Sequence, residues 1–536
     1  MNMPVNGFTW FMAAAPVLVL MVLMVKFQMG AMKAAPIGFL TAALTAFFIY
    51  KASLSHIAME AVKGVWSALA VLIVIWPAIF LYETVNEAGA FQVFRKSMGQ
   101  FTKNELLQIM MIGWVFASFL QGITGFGVPV AVGAPLLIGI GVKPFWAVII
   151  PLIAHTWGNT FGTLAAAWDA LVIQANLIDN AAMLSHTALW ATSFIWIWNL
   201  FTGLMLCWFY GKGKALKKGF PAVLVISLIQ GGGQMLMGQL HTTLACFLPC
   251  CVSLGAILLM GRSPWYRDAW CLEDSPVMER KETTEKTLSC PQNMTMNQAF
   301  LPYYALTGIT LFVLLVKPVK DVLGQVKIGF AFPEMVTGYG FVDEAAAVFS
   351  PIVPFTHAGM FLLLSGVIGF LYFSRHAWIG AGGGTNIWKR TVKKTIPSSV
   401  SVICFVAMSK IMSGTGQTTV LAEGIAALFG QGYAALAPII GLLGAFMTSS
   451  NMASNILFGS FQMTTANLLG LDAAAILGAQ TAGGAIGSAI CPGNIILGTT
   501  TAGIMGKEGM VLRKVLPLAL SAVAVVGVIL FVLLIF

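Results

Sequence analysis

The chain has 536 residues, of which 58% are hydrophobic and only 9% charged, against roughly 25% charged in ordinary soluble domains. So few charges cannot clothe a water-soluble protein of this length, and that class is excluded. The formal net charge of +10 does not indicate nucleic acid either, because Lys and Arg fall in short clusters between apolar runs, the positive-inside pattern, and not along one face.

A helix needs about 20 apolar residues to cross about 30 Å of hydrocarbon. In chain order the clearest runs are 8–25, 37–50, 65–81, 189–210, 244–260, 304–316, 359–373 and 516–536. With the shorter Gly-broken segments they predict an all-α polytopic membrane protein of about 12–14 transmembrane elements. The first run follows an uncharged N-terminus and is closed by no cleavage site, so it is expected to be a retained helix. Lys26 and Lys33 precede the second run while Lys51 and Lys63 follow it, giving opposed orientation signals. Lys212, Lys214, Lys217 and Lys218, and then Arg375, Lys389, Arg390, Lys393 and Lys394, place two loops in the cytoplasm. Eight Cys show no CxxC spacing, and Cys250 and Cys251 lie in an apolar run; neither a disulfide framework nor a metal site is indicated.

Near the middle, 261–297 carries Arg262, Arg267, Arg280, Lys281 and Lys286 against Asp268, Glu273, Asp274, Glu279, Glu282 and Glu285. This balanced segment belongs in water, and it divides the chain into a first transmembrane repeat, 1–260, a soluble linker, 261–299, and a second repeat, 300–536. The order of parts matches across it. A helix ending at Tyr82 and Glu83, the string from Gln121 to Pro129, a run to Gly141 and a polar stretch from His155 to Gly162 are answered by a helix ending at Lys410, a break from Ser413 to Thr419, a polar string from Thr448 to Asn455, a run to Gly470 and a Gly-rich stretch from Gly483 to Ser488. Residue identity between the halves is low, so order alone supports two inverted repeats with re-entrant helical hairpins at about 104–141 and 431–470.

Polar, Gly-rich strings inside apolar segments carry the chemistry, since backbone N–H and C=O groups freed from a helix cannot face lipid. Gly122, Gly125 and Gly127 permit a reversal and Pro129 suits the first turn of the next half-helix. Its N-terminus favours an anion; the alternative is that these glycines only let helices pack closely. Asn451, Asn455, Gly459 and Gln462 share one face of a continuous helix, either lining a cavity or forming an interhelical hydrogen-bond seam. Lys410 either pairs with a substrate carboxylate or neutralises a protein carboxylate, and charges at such depth need a reason. Asp169 shares a face with His155 and Asn159 if that segment is helical throughout, and Asp with His makes a proton relay. The alternative for His155 is a neutral ring satisfied by a backbone carbonyl. Glu60 and Glu83, nearer helix ends, read as structural. No phosphate loop is present, since Gly506-Lys507 is followed by Glu508, and no HExxH or nucleophile and base pair occurs. An enzyme is therefore disfavoured, and no cofactor is expected.

The string Gln121-Gly-Ile-Thr-Gly-Phe-Gly-Val-Pro-Val-Ala-Val-Gly-Ala-Pro135 resembles the signature turn of the bacterial L-lactate permease family, which includes glycolate permeases. Thr448 to Gln462 resembles that family's second polar hairpin, and Gly483 to Glu508 its Gly-rich penultimate segment. The resemblance runs over most of the chain in the right order. It implies a secondary active transporter in a bacterial or archaeal inner membrane, carrying L-lactate or a related 2-hydroxy-monocarboxylate (D-lactate, glycolate) in symport with protons, by an elevator-like motion and as a homodimer. By that carry-over the substrate meets Gln121, Gly122, Thr124, Gly125 and Phe126 of the first hairpin and Ser450, Asn451 and Asn455 of the second. Asn159 and Lys410 join them as candidates, and Asp169 and His155 are the candidates for proton coupling. One departure stands out: where the family has an Asn-Thr-Ala-Pro-like stretch, this chain has His155-Thr-Trp-Gly-Asn-Thr-Phe-Gly162. The rival readings are sodium coupling to another carboxylate, and a membrane sensor or assembly subunit that transports nothing.

Overall fold

The computed structural model describes residues 4–27, 29–98, 101–125, 127–279 and 293–535. Phe126 and the linker charges Arg280, Lys281, Glu282, Glu285 and Lys286 lie outside the described residues. Among the described residues, eleven helices are long and apolar enough to cross a membrane, and three shorter apolar helices accompany them. The chain is an all-α polytopic membrane protein with one small strand-built flap.

Helices α1 (Gly7–Met21) and α2 (Ala31–Phe48) precede α3 (Leu54–Glu87), which starts where Ser53 caps it by accepting from the His56 N–H. Helix α4 (Glu105–Ile123) turns back into α5 (Val128–Gly139), and α6 (Pro144–Ala154) and α7 (Gly162–Gln174) form an interrupted rod. Helix α8 (Ala181–Ser227) kinks at Gly211 and Lys212, then come α9 (Phe247–Gly261) and, past the linker, α10 (Leu301–Leu315). The flap pairs β1 (Ile328–Phe332) with β4 (Ala346–Ile352), and β2 (Met335–Val336) with β3 (Val342–Asp343), both antiparallel. Helices α11 (Ala358–Arg375), α12 (Gly383–Gly414) and α13 (Gln417–Phe429) follow. A second turned-back pair, α14 (Tyr433–Thr448) and α15 (Asn451–Leu469), precedes a second interrupted rod, α16 (Ala473–Gly487) and α17 (Pro492–Thr501), and α18 (Glu508–Ile535) closes the chain.

The broken elements lie innermost. The most apolar stretch of α4 is 94% buried and that of the α16–α17 rod 100%, against 28% for α1 and 33% for α18, so the continuous outer helices present their apolar sides to lipid. Small residues let the inner backbones touch: a Cβ on Gly483 would overlap the Pro438 carbonyl, and one on Gly441 the Gln480 carbonyl, locking α16 to α14. At one end, Glu83 pairs with Lys394 at 2.5 Å and Glu87 with Arg390 at 2.6 Å, tying α3 to α12. That gives Glu83 a structural role. The flap escaped the sequence reading because its strands are short and interrupted by Pro, Gly and acidic residues.

Gly64 of α3 faces α12 so closely that an added Cβ would meet the Ala407 N at 2.8 Å. Gly64→Leu is expected to destabilise the detergent-solubilised protein by about 1–3 kcal/mol through overpacking, read as a lower midpoint of thermal unfolding. An unchanged midpoint would contradict this α3–α12 contact.

Candidate functional site

Four chain breaks meet inside the protein. In the first, Gly125 (φ +59) and Gly127 (φ +78) take left-handed backbone that glycine adopts freely, and the Val128 N–H donates to the Gly125 carbonyl at 2.9 Å, starting α5 with Pro129 in its first turn. A Cβ on Gly125 would also strike the Thr163 hydroxyl. In the second, Ser449 (φ +60) reverses the chain and Ser450 caps α15, its hydroxyl accepting from the Ala453 N–H at 3.4 Å. The third lies in the first turn of α7, where Thr163, Leu164 and Ala165 have φ of 50°, 51° and 74°. Left-handed backbone costs roughly 1–2 kcal/mol for each non-glycine residue, so the surroundings must hold it. Trp157 donates to the Ser118 hydroxyl at 2.8 Å and Trp198 to the Thr156 hydroxyl at 2.7 Å, anchoring the preceding turn. The fourth joins α16 to α17, with the Asn494 amide donating to the Ser488 carbonyl at 3.1 Å.

These breaks enclose a cavity of about 80 Å³. That is several times the roughly 10–15 Å³ one water needs, and well below the roughly 300–1,000 Å³ of sites for drug-sized ligands. Of the candidates, Gln121, His155, Asn159, Ser450 and Asn451 line it. The N-terminal ends of α5, α7, α15 and α17 contribute Gly127, Thr163, Ser450 and Asn494 to its wall. Helix N-termini carry partial positive charge and unpaired N–H groups, yet no Lys, Arg, Asp or Glu is among the described lining residues. The C-terminal ends of α4, α6, α14 and α16 reach the same wall through Gln121, His155, Ser449 and Ser488, so helix ends of both signs meet there, with no carboxylate among the described lining residues to repel a small anion.

The lining polar groups are pre-arranged. The Asn451 amide donates to the Thr160 hydroxyl at 3.2 Å, and its Oδ1 is buried without a hydrogen-bond partner. His155 Nδ1 lies 2.6 Å from the Pro151 carbonyl; a carbonyl only accepts, so Nδ1 carries the hydrogen and Nε2 is the acceptor in the neutral ring. A histidine satisfied through Nδ1 by a backbone carbonyl is thus the geometry observed, and it still borders the cavity. Gln121 packs against the breaks, as a Cβ on Gly162 would meet its Nε2 at 2.9 Å.

Other candidates lie apart from the wall. The Thr124 hydroxyl turns onto its own helix, donating to the Leu120 carbonyl at 3.0 Å, and Gly122 abuts α9, where a Cβ would meet the Phe247 Cα at 3.1 Å. Gly125 supports Thr163, and Phe126 falls outside the described residues. Helix α15 is continuous, but its polar stripe divides. Asn451 borders the cavity, Asn455 donates to the Ala167 carbonyl and the Thr481 hydroxyl, both at 2.9 Å, and Gln462 donates to the Gln480 side chain at 2.8 Å. The expected shared face of His155, Asn159 and Asp169 required an unbroken helix, and the left-handed turn at 163–165 removes it. Asp169 stands instead on the face of α7 that carries Ala166, one turn from that wall residue. Lys410 is buried at the opposite end of α7, donating to the Ile173 carbonyl at 3.4 Å, with its Nζ 5.4 Å from the centre of the Phe349 ring of the flap. Sequence reasoning held Ser449 within the polar string from Thr448 to Asn455 without naming it as a site residue, and missed Thr163 and Asn494. The string Cys491-Pro-Gly-Asn494 after a Gly-rich run signals a break, whereas Thr163 carries no such mark.

Membrane-length helices, broken where they converge on a polar cavity, define a multi-pass helical membrane protein built around an internal site. A family profile described as L-lactate permease matches residues 9–536, and the chain belongs to that family. It is 25% identical to the L-lactate permease of Halalkalibacterium halodurans, over 97% of this chain and 95% of that one. It is 25% identical to the glycolate permease of Escherichia coli, over 99% and 96%, and 26% identical to the L-lactate permease of Bacillus subtilis, over 91% and 89%. Among solved structures, the Alcanivorax borkumensis YdaH transporter is 13% identical, with a TM-score of 0.43 over 86% of this chain and 84% of that one.

Proposed function

We propose that this protein is a secondary active transporter that carries L-lactate or glycolate across the cytoplasmic membrane in symport with protons. The observation that carries the reading is the meeting of helix N-termini around a small polar cavity whose described walls hold no side-chain counter-charge, in a chain whose relatives are lactate and glycolate permeases. The carboxylate takes hydrogen bonds from the N–H groups at the start of α15, with the start of α5 adding its dipole, and the 2-hydroxyl group bonds with Gln121, Asn159, Ser450 and Asn451. Gly122, Thr124, Gly125 and Asn455 hold those turns in place, and Lys410 acts from behind α7 as a distant positive charge. Asp169, with no ion pair among the described residues, carries the proton, and His155 passes it at the cavity wall.

Residues 1–260 and 300–536 act in this reading as inverted repeats about the linker 261–299. Support comes from the matched order of a turned-back pair and an interrupted rod in each. The elevator-like motion, the homodimer and the inner-membrane location rest on the family resemblance. The test is uptake of labelled L-lactate and glycolate by proteoliposomes under an imposed pH gradient, with and without sodium. Accumulation driven by the pH gradient and indifferent to sodium is the expected result. Accumulation that follows sodium and ignores pH would transfer the protein to the sodium-coupled class, and none under either gradient would end the carrier reading.

A further inference from the structure

A second concentration of buried ionisable groups lies where α3, α12 and the flap meet. His56, Glu60 and Lys63 stand on successive turns of one face of α3. Glu60 and Lys63 pair at 2.7 Å, and the same ammonium pairs with Asp343 of β3. A His56 ring nitrogen, a Glu60 oxygen and an Asp343 oxygen all lie within 4.8 Å of one another. His56 is fully buried, the Gly414 backbone passes beside it, and neither ring nitrogen has a formed hydrogen bond. The chain is moulded to the group, since a Cβ on Gly414 would overlap the Glu60 carboxylate.

A metal ion is the wrong guest, because the Lys63 ammonium already bridges both carboxylates. The charges facing the cluster are Glu60 and Lys63 from α3, Lys410 from α12 and Asp343 from the flap, while α7 adds only the Ile173 carbonyl and the Gln174 amide. Two cations balance two carboxylates, and the uncommitted His56 is the group with room for one more proton. Asp343, its side chain 23% exposed, gives the cluster its contact with water.

We infer that the His56, Glu60 and Asp343 cluster is a proton-binding site through which the coupling proton enters from the flap side, an inference that rests on the proton-coupled reading above. The proton passes from water at Asp343 to His56 or Glu60, making one N–H or O–H bond and breaking another. It leaves an uncompensated positive charge at the end of α7 remote from the cavity. Helix α7 joins the two places, since Ala166 borders the cavity and Ile173 accepts from Lys410 about 10 Å further on at 1.5 Å per residue. The cluster lies past Lys410 and the substrate past Ala166, so the separation exceeds that rise, and at an effective dielectric constant near 20 a positive charge raises anion affinity several-fold, with roughly tenfold as the ceiling. Linkage makes the effect reciprocal, so bound carboxylate favours the proton by the same factor.

The experiment compares wild type, Glu60→Gln and His56→Gln in proteoliposomes, by uptake of labelled L-lactate under a pH gradient and by lactate counterflow without one. The expected result is a loss of gradient-driven uptake of about three- to tenfold and a flattened pH profile, with counterflow within about twofold of wild type. Should Glu60→Gln not reconstitute, His56→Gln, which breaks no ion pair, decides alone. Gradient-driven uptake like wild type in the variants overturns the inference. Equal loss of counterflow in a folded variant overturns it too, making the cluster part of the carrier frame. A wild type that ignores the pH gradient instead defeats the proton-coupled reading itself.

Discussion

Asn451→Leu lowers L-lactate uptake at subsaturating substrate by roughly 5- to 100-fold, the cost of leaving the substrate's 2-hydroxyl group unpaired in a buried site at about 1–3 kcal/mol. Asn451 is the first residue of α15, 4% exposed, where the helix N-terminus meets the cavity. Its amide is held by the Thr160 hydroxyl while Oδ1 has no partner, so the side chain is fixed yet retains hydrogen-bonding capacity. Leucine keeps about the same volume and removes every polar atom. The deficit is expected chiefly in KM, because the interaction, Oδ1 accepting from the 2-hydroxyl group, is made already with the bound substrate. Asn455→Leu one turn further on strips a seam contact to the Ala167 carbonyl, and it should lower the unfolding midpoint more than it changes KM. Initial rates over a lactate concentration series check both, and a normal KM in Asn451→Leu would remove this residue from the site.

Gly127→Val is expected to reduce uptake to below about 1% of wild type, through two additive causes. At φ +78 the left-handed backbone is costly for any residue with a Cβ and worst for a β-branched one. The new Cβ would also lie 2.6 Å from Leu497 Cδ2 and 3.2 Å from Asn494 Oδ1, pushing α17 away from the cavity it helps to wall. Gly122→Ala serves as the contrast. That position meets the Phe247 Cα at 3.1 Å away from the cavity, so the change should cost stability while the surviving protein keeps a normal KM. Equal kinetic damage in the two variants would mean that the first turn matters only for packing.

The places where helices break were readable because Gly, Pro, Ser and Asn strings have no business inside apolar runs unless the freed backbone is enclosed. Gly125, Gly127 and Pro129 announced one turn, and Ser449, Ser450 and Asn451 the other. Which polar side chains meet was less readable. Asn451, Asn455 and Gln462 share one helical face, but each turn advances about 5.4 Å, so only Asn451 reaches the cavity while the others enter a seam. Three successive left-handed residues without glycine at Thr163, Leu164 and Ala165 left no trace in the sequence, and they rotate Asp169 out of register with His155. Lys63 meets Asp343 across most of the intervening chain, a contact no local pattern reports. Lys410, read as a partner for either a substrate or a protein carboxylate, faces that cluster and the Ile173 carbonyl because α12 packs beside α3 there.

The most direct measurement is a cryo-EM map of the protein in lipid nanodiscs saturated with L-lactate. Carboxylate density between the starts of α5 and α15, within hydrogen-bond distance of the backbone N–H groups that open α15, with the 2-hydroxyl group beside Asn451, is the expected result. Density seated on the Lys410 ammonium, with the cavity among the four breaks left to water, would contradict an anion held by helix ends alone.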